Sequence, residues 1–152
     1  MSSFKKATTI ITAAFMLTIA GLTILAVGPN QSIAQEMAKL KYGPFKGAKE
    51  GIWGEGSASV TMSSDGSYKL QLSEDFSVRP GPDLEVVLVK APNINGAEDL
   101  MASEYISIAQ LEKSDGSQTY QLPDGLDPSQ FGSVVIYCEE YTVLFSSASL
   151  AK

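Results

Sequence analysis

The tetrapeptide Ser-Asp-Gly-Ser occurs twice in this chain, at 64–67 and at 114–117, and each copy lies between short segments of alternating apolar and polar residues. Before the first copy, "SASVTM" places Ala58, Val60 and Met62 on one side of an extended chain, and "SYKLQL" continues the alternation after it. Period-two patterning on both sides of a Ser/Asp/Gly turn predicts a β-hairpin with those apolar side chains inward. The second copy, between "YISIAQL" and "QTYQLP", predicts a second hairpin.

Further strands are predicted on either side of these hairpins. An apolar strand is expected at 84–89, directly after the Pro-Gly-Pro corner at 80–82. Two more strands, "SVVIYC" and "YTVLF", are expected to close the chain around Glu139-Glu140.

Two segments are predicted not to be strands. The glycine-rich and lysine-rich segment 39–56 shows no sustained period and is expected to be a loop-like lead-in, and 93–105 is expected to form a longer loop or one helical turn. No strong helical period follows Ala34. The predicted fold class is therefore all-β, an antiparallel β-sandwich or a partly open barrel.

The N-terminus carries an export signal. Lys5 and Lys6 precede an uncharged run at 7–27, which ends in Gly-Pro-Asn. This run is long enough to cross a bilayer as a helix and could stay as an anchor. Small residues at Ser32 and Ala34 have the spacing that signal peptidase accepts, which favours cleavage after Ala34.

These features divide the chain into three parts. Residues 1–34 are expected to be a signal peptide or membrane anchor, 35–42 a linker, and 43–152 one β domain. Either fate of the first segment places the domain outside the cytoplasm, as a periplasmic, secreted or membrane-anchored protein. Two of the 11 basic residues precede the exported part, which contains all 17 acidic residues, so a nucleic-acid surface is not expected.

The chain contains no histidine and one cysteine, Cys138. The missing histidine excludes Ser-His-Asp and Cys-His catalysis and the usual zinc, blue-copper and histidine-haem sites. A single cysteine makes no internal disulfide. No classical enzyme is therefore expected, and no metal site is predicted.

Cys138 has two interpretations. A thiol at the end of an apolar strand is often a buried packing residue. In an oxidising compartment, however, an unpaired cysteine is exposed to oxidation, and a redox function would explain its presence. The acids Glu139 and Glu140 beside it disfavour the thiolate, so a fast nucleophile is not expected.

Two other groups of residues are candidate sites. Five acids lie in turns and offer a carboxylate constellation, although no calcium-loop motif fixes their geometry and turn formation is the favoured interpretation. Three aromatic residues near the lead-in are expected to form a binding platform or, more often, to plug the open end of a sandwich. The acids are Glu74, Asp75, Asp83, Asp124 and Asp127, and the aromatic residues are Tyr42, Phe45 and Trp53.

Four segments resemble one known family in sequence and in order: "GPFKGAKEGIWGEGSASV", "EDFSVRPGPDLEVVLV", "SDGSQTYQLP" and "SVVIYCEEYTVLFSSASL". They are similar to the DM-thirteen domain, a predicted electron-transfer module found beside DOMON domains, and the resemblance covers 43–150. It implies a β-sandwich and places the hallmark cysteine of the family on Cys138. It further implies redox activity, through the bare thiol or a bound prosthetic group.

The sequence departs from the family pattern at three places. Tyr137 stands where tryptophan is common, Ser146 stands where glycine is common, and the histidine often found near Ile52-Trp53 is missing. Haem ligation by histidine and cysteine together is thus not implied for this chain.

Two function classes follow from the sequence. The first is an exported redox or electron-transfer accessory domain that uses Cys138, with an unidentified redox or envelope protein as partner. The second is a non-catalytic envelope or cell-surface module that binds carbohydrate or protein, in which Cys138 only packs.

Overall fold

The computed structural model describes residues 38–48 and 51–151. The predicted signal or anchor segment, 1–34, lies outside these residues, as does the start of the predicted linker. Across the described ranges, no helix has the length and apolarity needed to cross a membrane.

The described chain is built almost entirely of strands. In chain order the elements are β1 (Ala38–Gly47), β2 (Gly54–Glu55), β3 (Ser57–Met62), β4 (Tyr68–Leu72), β5 (Ser77–Val78), β6 (Leu84–Val89), α1 (Ala97–Met101), β7 (Tyr105–Gln110), β8 (Gln118–Gln121), a short 3-10 helix (Pro128–Gln130), β9 (Ser133–Cys138) and β10 (Val143–Ser149).

Eight of the strands form one antiparallel sheet in the order β7-β6-β9-β10-β1-β3-β4-β8. The sheet curls until its end strands, β7 and β8, come close to each other, and the side chains inside it form one core. Val60, Leu70, Val86 and Ile136, from four different strands, are fully buried there. The structure confirms the predicted antiparallel all-β class in its barrel form, nearly closed.

A second apolar layer covers one outer face of the barrel. The connection from β6 to β7 carries α1 across β6 and β9, and buries Ile94 and Leu100 against Val87 and Val135. Strands covered on both faces need apolar side chains on both faces. This explains the uninterrupted runs "LEVVLV" and "SVVIYC", and the predicted helical turn is confirmed as α1.

The first predicted hairpin is confirmed as β3 and β4, while the second is wrong. β7 pairs with β6 and β8 pairs with β4, so the two strands lie at opposite ends of the sheet order. The backbone of the second tetrapeptide forms hydrogen bonds with the segment around β5 instead. Val78 N–H donates to Ser114 O at 2.9 Å, and Gly116 N–H donates to Phe76 O at 2.8 Å. The segment therefore extends the small β2–β5 sheet instead of reversing the chain between paired strands.

The predicted lead-in is also wrong, because β1 occupies much of it and begins inside the segment predicted as a linker. β1 lies between β10 and β3 in the middle of the sheet. Its glycines are explained by close backbone approach. A Cβ on Gly43 would lie 2.0 Å from Ser149 O, and one on Gly47 would lie 1.9 Å from Ile52 O.

The inward alternation of β3 holds for Ala58 and Val60, which are fully buried, and fails at Met62. Met62 is the last residue of the strand, opposite Ala38, and its side chain is 37% exposed. The prediction that Met62 lies inward is wrong because the strand leaves the core at that residue.

Candidate functional site

Cys138 is the last residue of β9 and lies between two neighbouring strands. Its cross-strand partners are Leu84, the first residue of β6, and Val143, the first residue of β10. The residue is 1% exposed and belongs to the barrel core. The free thiol is thus shielded by apolar side chains at one end of the barrel, as its sequence context predicted.

We call this end of the barrel the thiol end; it comprises the corner 80–83, Cys138 and the turn 139–142. The corner lies directly on the core. A Cβ on Gly81 would meet Phe145 Cζ at 2.6 Å and Leu84 Cδ2 at 3.2 Å. Only glycine allows the backbone to approach these two side chains so closely.

Phe145 reaches this position because β10 is irregular. The pairing of β10 with β9 shifts between Leu144 and Ser146, which leaves Phe145 without a directly opposite residue. Such a bulge redirects a side chain, and the Phe145 ring joins the barrel core together with Cys138.

Two strained residues frame the thiol. Asp83, with φ 43°, precedes Leu84, and Thr142, with φ 53°, precedes Val143. They are the only non-glycine residues with positive φ in the described ranges. Left-handed backbone costs an ordinary residue roughly 1–2 kcal/mol, and strain of this kind concentrates at functional sites. Each cross-strand neighbour of Cys138 is therefore directly preceded by a strained residue.

The surroundings of the thiol carry little positive charge. Glu139 and Glu140 follow it in an exposed turn, which closes when Thr142 N–H donates to Glu139 O at 3.1 Å. Tyr137 lies on the other face of β9, where burial raises the pKa of its phenol above the usual 10.0, and a hydrogen bond with Thr142 opposes the rise. Within residues 80–83 and 138–142, the charged side chains are therefore all acidic.

A bound metal or haem does not fit the residues around Cys138. The thiol belongs to the apolar core cluster that also contains Leu84, its cross-strand partner, and Phe145. Within 38–48 and 51–151, no group of three or more cysteine, aspartate or glutamate side chains is arranged to hold a metal ion.

A cleft of about 280 Å³ opens beside the thiol end. The corner residues Gly81 and Asp83 form one wall, and the segment from Gln110 to Ser114 forms the other. Leu84 lines the cleft and is also the cross-strand partner of Cys138. Leu84 therefore connects the two features, since it lines the cleft and neighbours Cys138 across the sheet.

The predicted carboxylate constellation is not assembled as one site. Asp124 and Asp127 line a second cleft, of about 550 Å³, with Asp65 at the opposite end of the barrel. Asp127 accepts a hydrogen bond from Ser129 N–H at 2.9 Å and caps the 3-10 helix. Hydrogen bonds from Ser129 lower the pKa of the Asp127 carboxyl. These acids act as turn and cap residues, as the favoured interpretation predicted.

The three aromatic residues of the lead-in also separate. Trp53 is 47% exposed, and its Nε1 lies 3.4 Å from Ser77 Oγ, while Tyr42 is exposed as well. Phe45 is buried and meets Phe76 edge to face, with ring centroids 5.1 Å apart. Of the three aromatic residues, only Phe45 therefore fills the barrel, and the three rings do not form a platform.

Sequence reasoning missed two residues of the thiol end. The sequence indicates only that Phe145 belongs to an apolar strand. A bulge has no signature in the sequence that would place its ring against the corner 80–83. Thr142 was missed because a β-branched residue is among the least expected in left-handed backbone. Gly81, in contrast, was already marked by its two flanking prolines.

Comparison with known proteins gives one match. A search of curated proteins and a search of solved structures find none. The family model described as "Electron transfer DM13" matches residues 45–150, which include β6, β9, β10 and Cys138. This match covers most of the chain and confirms the resemblance seen in its sequence. The chain belongs to the DM13 electron-transfer domain family.

Proposed function

We propose that this protein is an exported electron-transfer accessory domain whose redox group is the bare thiol of Cys138. One observation carries the proposal. The single cysteine of this electron-transfer family member has two cross-strand partners, and the residue directly before each partner, Asp83 in one strand and Thr142 in the other, has strained backbone. Strained segments have a smaller free-energy gap to open conformations than relaxed ones.

The chemistry that a bare thiol supports is exchange with a disulfide of a partner protein. The Cys138 sulfur, as thiolate, attacks one sulfur of the partner disulfide; a new S–S bond forms and the partner S–S bond breaks. The released partner sulfur takes up the proton that Cys138 lost, so a mixed disulfide replaces the partner disulfide. A second protein with two thiols completes the transfer: one of its thiols attacks the Cys138 sulfur and releases the partner as a dithiol, and its other thiol then displaces Cys138 and closes a disulfide.

Access to the thiol requires a local opening. Cys138 is 1% exposed and belongs to the same core as Leu84 and Phe145, so a partner sulfur cannot reach it while the core keeps this arrangement. We infer that movement of the corner over Gly81, which contacts both side chains, uncovers the thiol toward the cleft. The exchange is then slow, because its rate is limited by this local opening.

The N-terminal sequence supports the compartment part of the proposal. The lysine pair and the apolar run of 1–34 are typical of export, with the segment removed or kept as an anchor. An oxidising extracytoplasmic compartment supplies disulfide-bearing partners. The expected partner is a redox or envelope protein in that compartment.

The burial of Cys138 favours a second candidate function. A thiol shielded by hydrocarbon also fits a non-catalytic binding module of the envelope, in which it fills space at the end of β9. In that case the exposed rings, such as Trp53 and Tyr141, are the natural contact groups for carbohydrate or protein.

The test is the oxidation state of Cys138 in protein taken from its own source, with free thiols blocked before purification. Mass spectrometry of the peptide that contains Cys138 is expected to find a fraction in mixed disulfide with a partner peptide. In a cellular redox assay, Cys138→Ala is expected to lose activity while Val134→Ala retains it. Val134 is a matched control, because it is buried in the same strand and core. A thiol that is always free, with equal activity for both variants, would support the binding module instead.

A further inference from the structure

The curled sheet is not sealed, and its seam lies between β7 and β8. Among residues 38–48 and 51–151, β7 pairs with β6 alone and β8 with β4 alone. In the described part of the chain, no backbone hydrogen bond joins β7 to β8. The segment that follows β7 contacts β8 through a side chain instead: Glu112 N–H donates a hydrogen bond to the Tyr120 hydroxyl at 3.2 Å. Each of the two strands therefore has one free edge.

The outward backbone groups of β7 follow from its bonds to β6. Leu111 N–H donates to Leu84 O at 2.7 Å beyond one end of β7, and Lys90 N–H donates to Glu104 O at 2.9 Å beyond the other. In an antiparallel pair the bonding direction alternates along the strand. The backbone groups of Tyr105 and Gln110, which neighbour these bonded residues, therefore point away from β6.

The seam also leaves apolar surface incompletely covered. Ile106 and Ile108 of β7 pack against the barrel core but are only half-buried, as is Leu111 after the strand. The sequence of β7, "YISIAQ", contains no charge and no proline, the residues that commonly protect an edge strand. An added strand with alternating apolar side chains would cover these residues and bond the edge at the same time.

The charges around the seam select the occupant. The cleft of about 280 Å³ continues the line of β7 at Gln110, and Asp83, Glu112 and Lys113 surround it. Beside β7, Glu85 accepts a hydrogen bond from Ser107 at 2.7 Å. Carboxylates outnumber cations along this path, so it favours a positively charged ligand.

From these observations we propose that the free edge of β7 binds an extended segment of a partner protein as an added strand. The segment alternates apolar residues, which cover the seam, with lysine or arginine, which face the carboxylates, and its end lies in the cleft beside Gly81. The interaction uses backbone groups and charge and does not require Cys138.

The test uses an acetylated and amidated octapeptide that alternates valine with lysine, added to the purified domain at millimolar concentration. Amide hydrogen exchange, followed residue by residue by NMR, is expected to slow at Tyr105 and Gln110. A matched peptide with glutamate in place of lysine is expected to leave these amides unchanged. Raised salt is expected to weaken the effect of the lysine peptide.

Two variants at the edge sharpen the test. Tyr105→Pro removes one outward donor at the first residue of β7, where proline is tolerated, and Tyr105→Thr keeps the donor while removing the ring. The proline variant is expected to bind the lysine peptide about fivefold more weakly than the threonine variant, the worth of one hydrogen bond. If the proline variant does not fold, Ser107→Lys places a cation on the exposed edge and is expected to weaken binding instead.

Three results would overturn the proposal. The first is unchanged exchange at β7 with the lysine peptide; the second is equal slowing by the glutamate peptide. The third is concentration-dependent slowing without peptide, which would identify a second copy of the chain as the occupant. None of these measurements involves the thiol, so their failure and the failure of the redox proposal are separate outcomes.

Discussion

Replacing Cys138 by serine and by alanine tests whether the thiol end is dry. The side chain is 1% exposed and lies in the apolar core, with Leu84 of β6 and Val143 of β10 as its cross-strand partners. Alanine removes the sulfur and leaves a small cavity, which is expected to cost about 1 kcal/mol. Serine leaves a similar gap and also buries a hydroxyl without a partner, which adds about 1–3 kcal/mol.

The free energy of unfolding of both variants is measured by urea denaturation, and their midpoints by thermal melting. For a domain of this size, each kcal/mol lowers the melting temperature by about 4 °C. Cys138→Ser is therefore expected to melt well below Cys138→Ala. Equal stability of the two variants would show that the hydroxyl finds water or a polar partner, and would refute the dry environment on which the gated-access argument depends.

Three further outcomes are expected. Gly81→Ala places a methyl group against Phe145 and is expected to cost about 1–3 kcal/mol in urea unfolding, whereas Gly96→Ala, which meets open space, should be nearly neutral. Thr142→Gly relieves left-handed strain and is expected to raise the free energy of unfolding by about 0.5–1 kcal/mol; a lower value would contradict the strain argument. Burial raises the pKa of Tyr120 above 10.0, so the folded state resists ionisation more than the unfolded chain. Its contribution to stability is complete below that pH and is lost as the pH rises toward the raised pKa, which alkaline urea titrations of the wild type and the Tyr120→Phe variant would detect.

The fold class was predictable because alternation and turn residues are local signals. "SASVTM" and "SYKLQL" are joined by a turn that fixes their pairing within a few residues, and β3 and β4 pair as expected. β7 and β8 have the same kind of pattern and turn but pair with β6 and β4, because the burial available from distant strands outweighs a local turn preference. Sequence alone cannot weigh those distant contacts.

The burial of Cys138 was predictable from the sequence, whereas the backbone arrangement around it was not. The position of Cys138 at the end of an apolar run predicted its burial, since strands covered on both faces read as continuous apolar sequence. That arrangement depends on how the backbone of one segment packs against side chains of a distant strand. Gly81 over Phe145 and the left-handed conformation of Thr142 are tertiary features of this kind.

The most direct test of the central claim is the reaction of native Cys138 with an aromatic disulfide reagent as a function of urea. A slow reaction is expected well below the unfolding transition, at a rate that depends little on urea, because a local opening of the thiol end exposes the sulfur. Gly81→Ala, which pushes against the residues that cover the thiol, is expected to accelerate it. A reaction that follows global unfolding alone, with the full urea dependence of the unfolding equilibrium, would contradict the claim and identify Cys138 as a core residue.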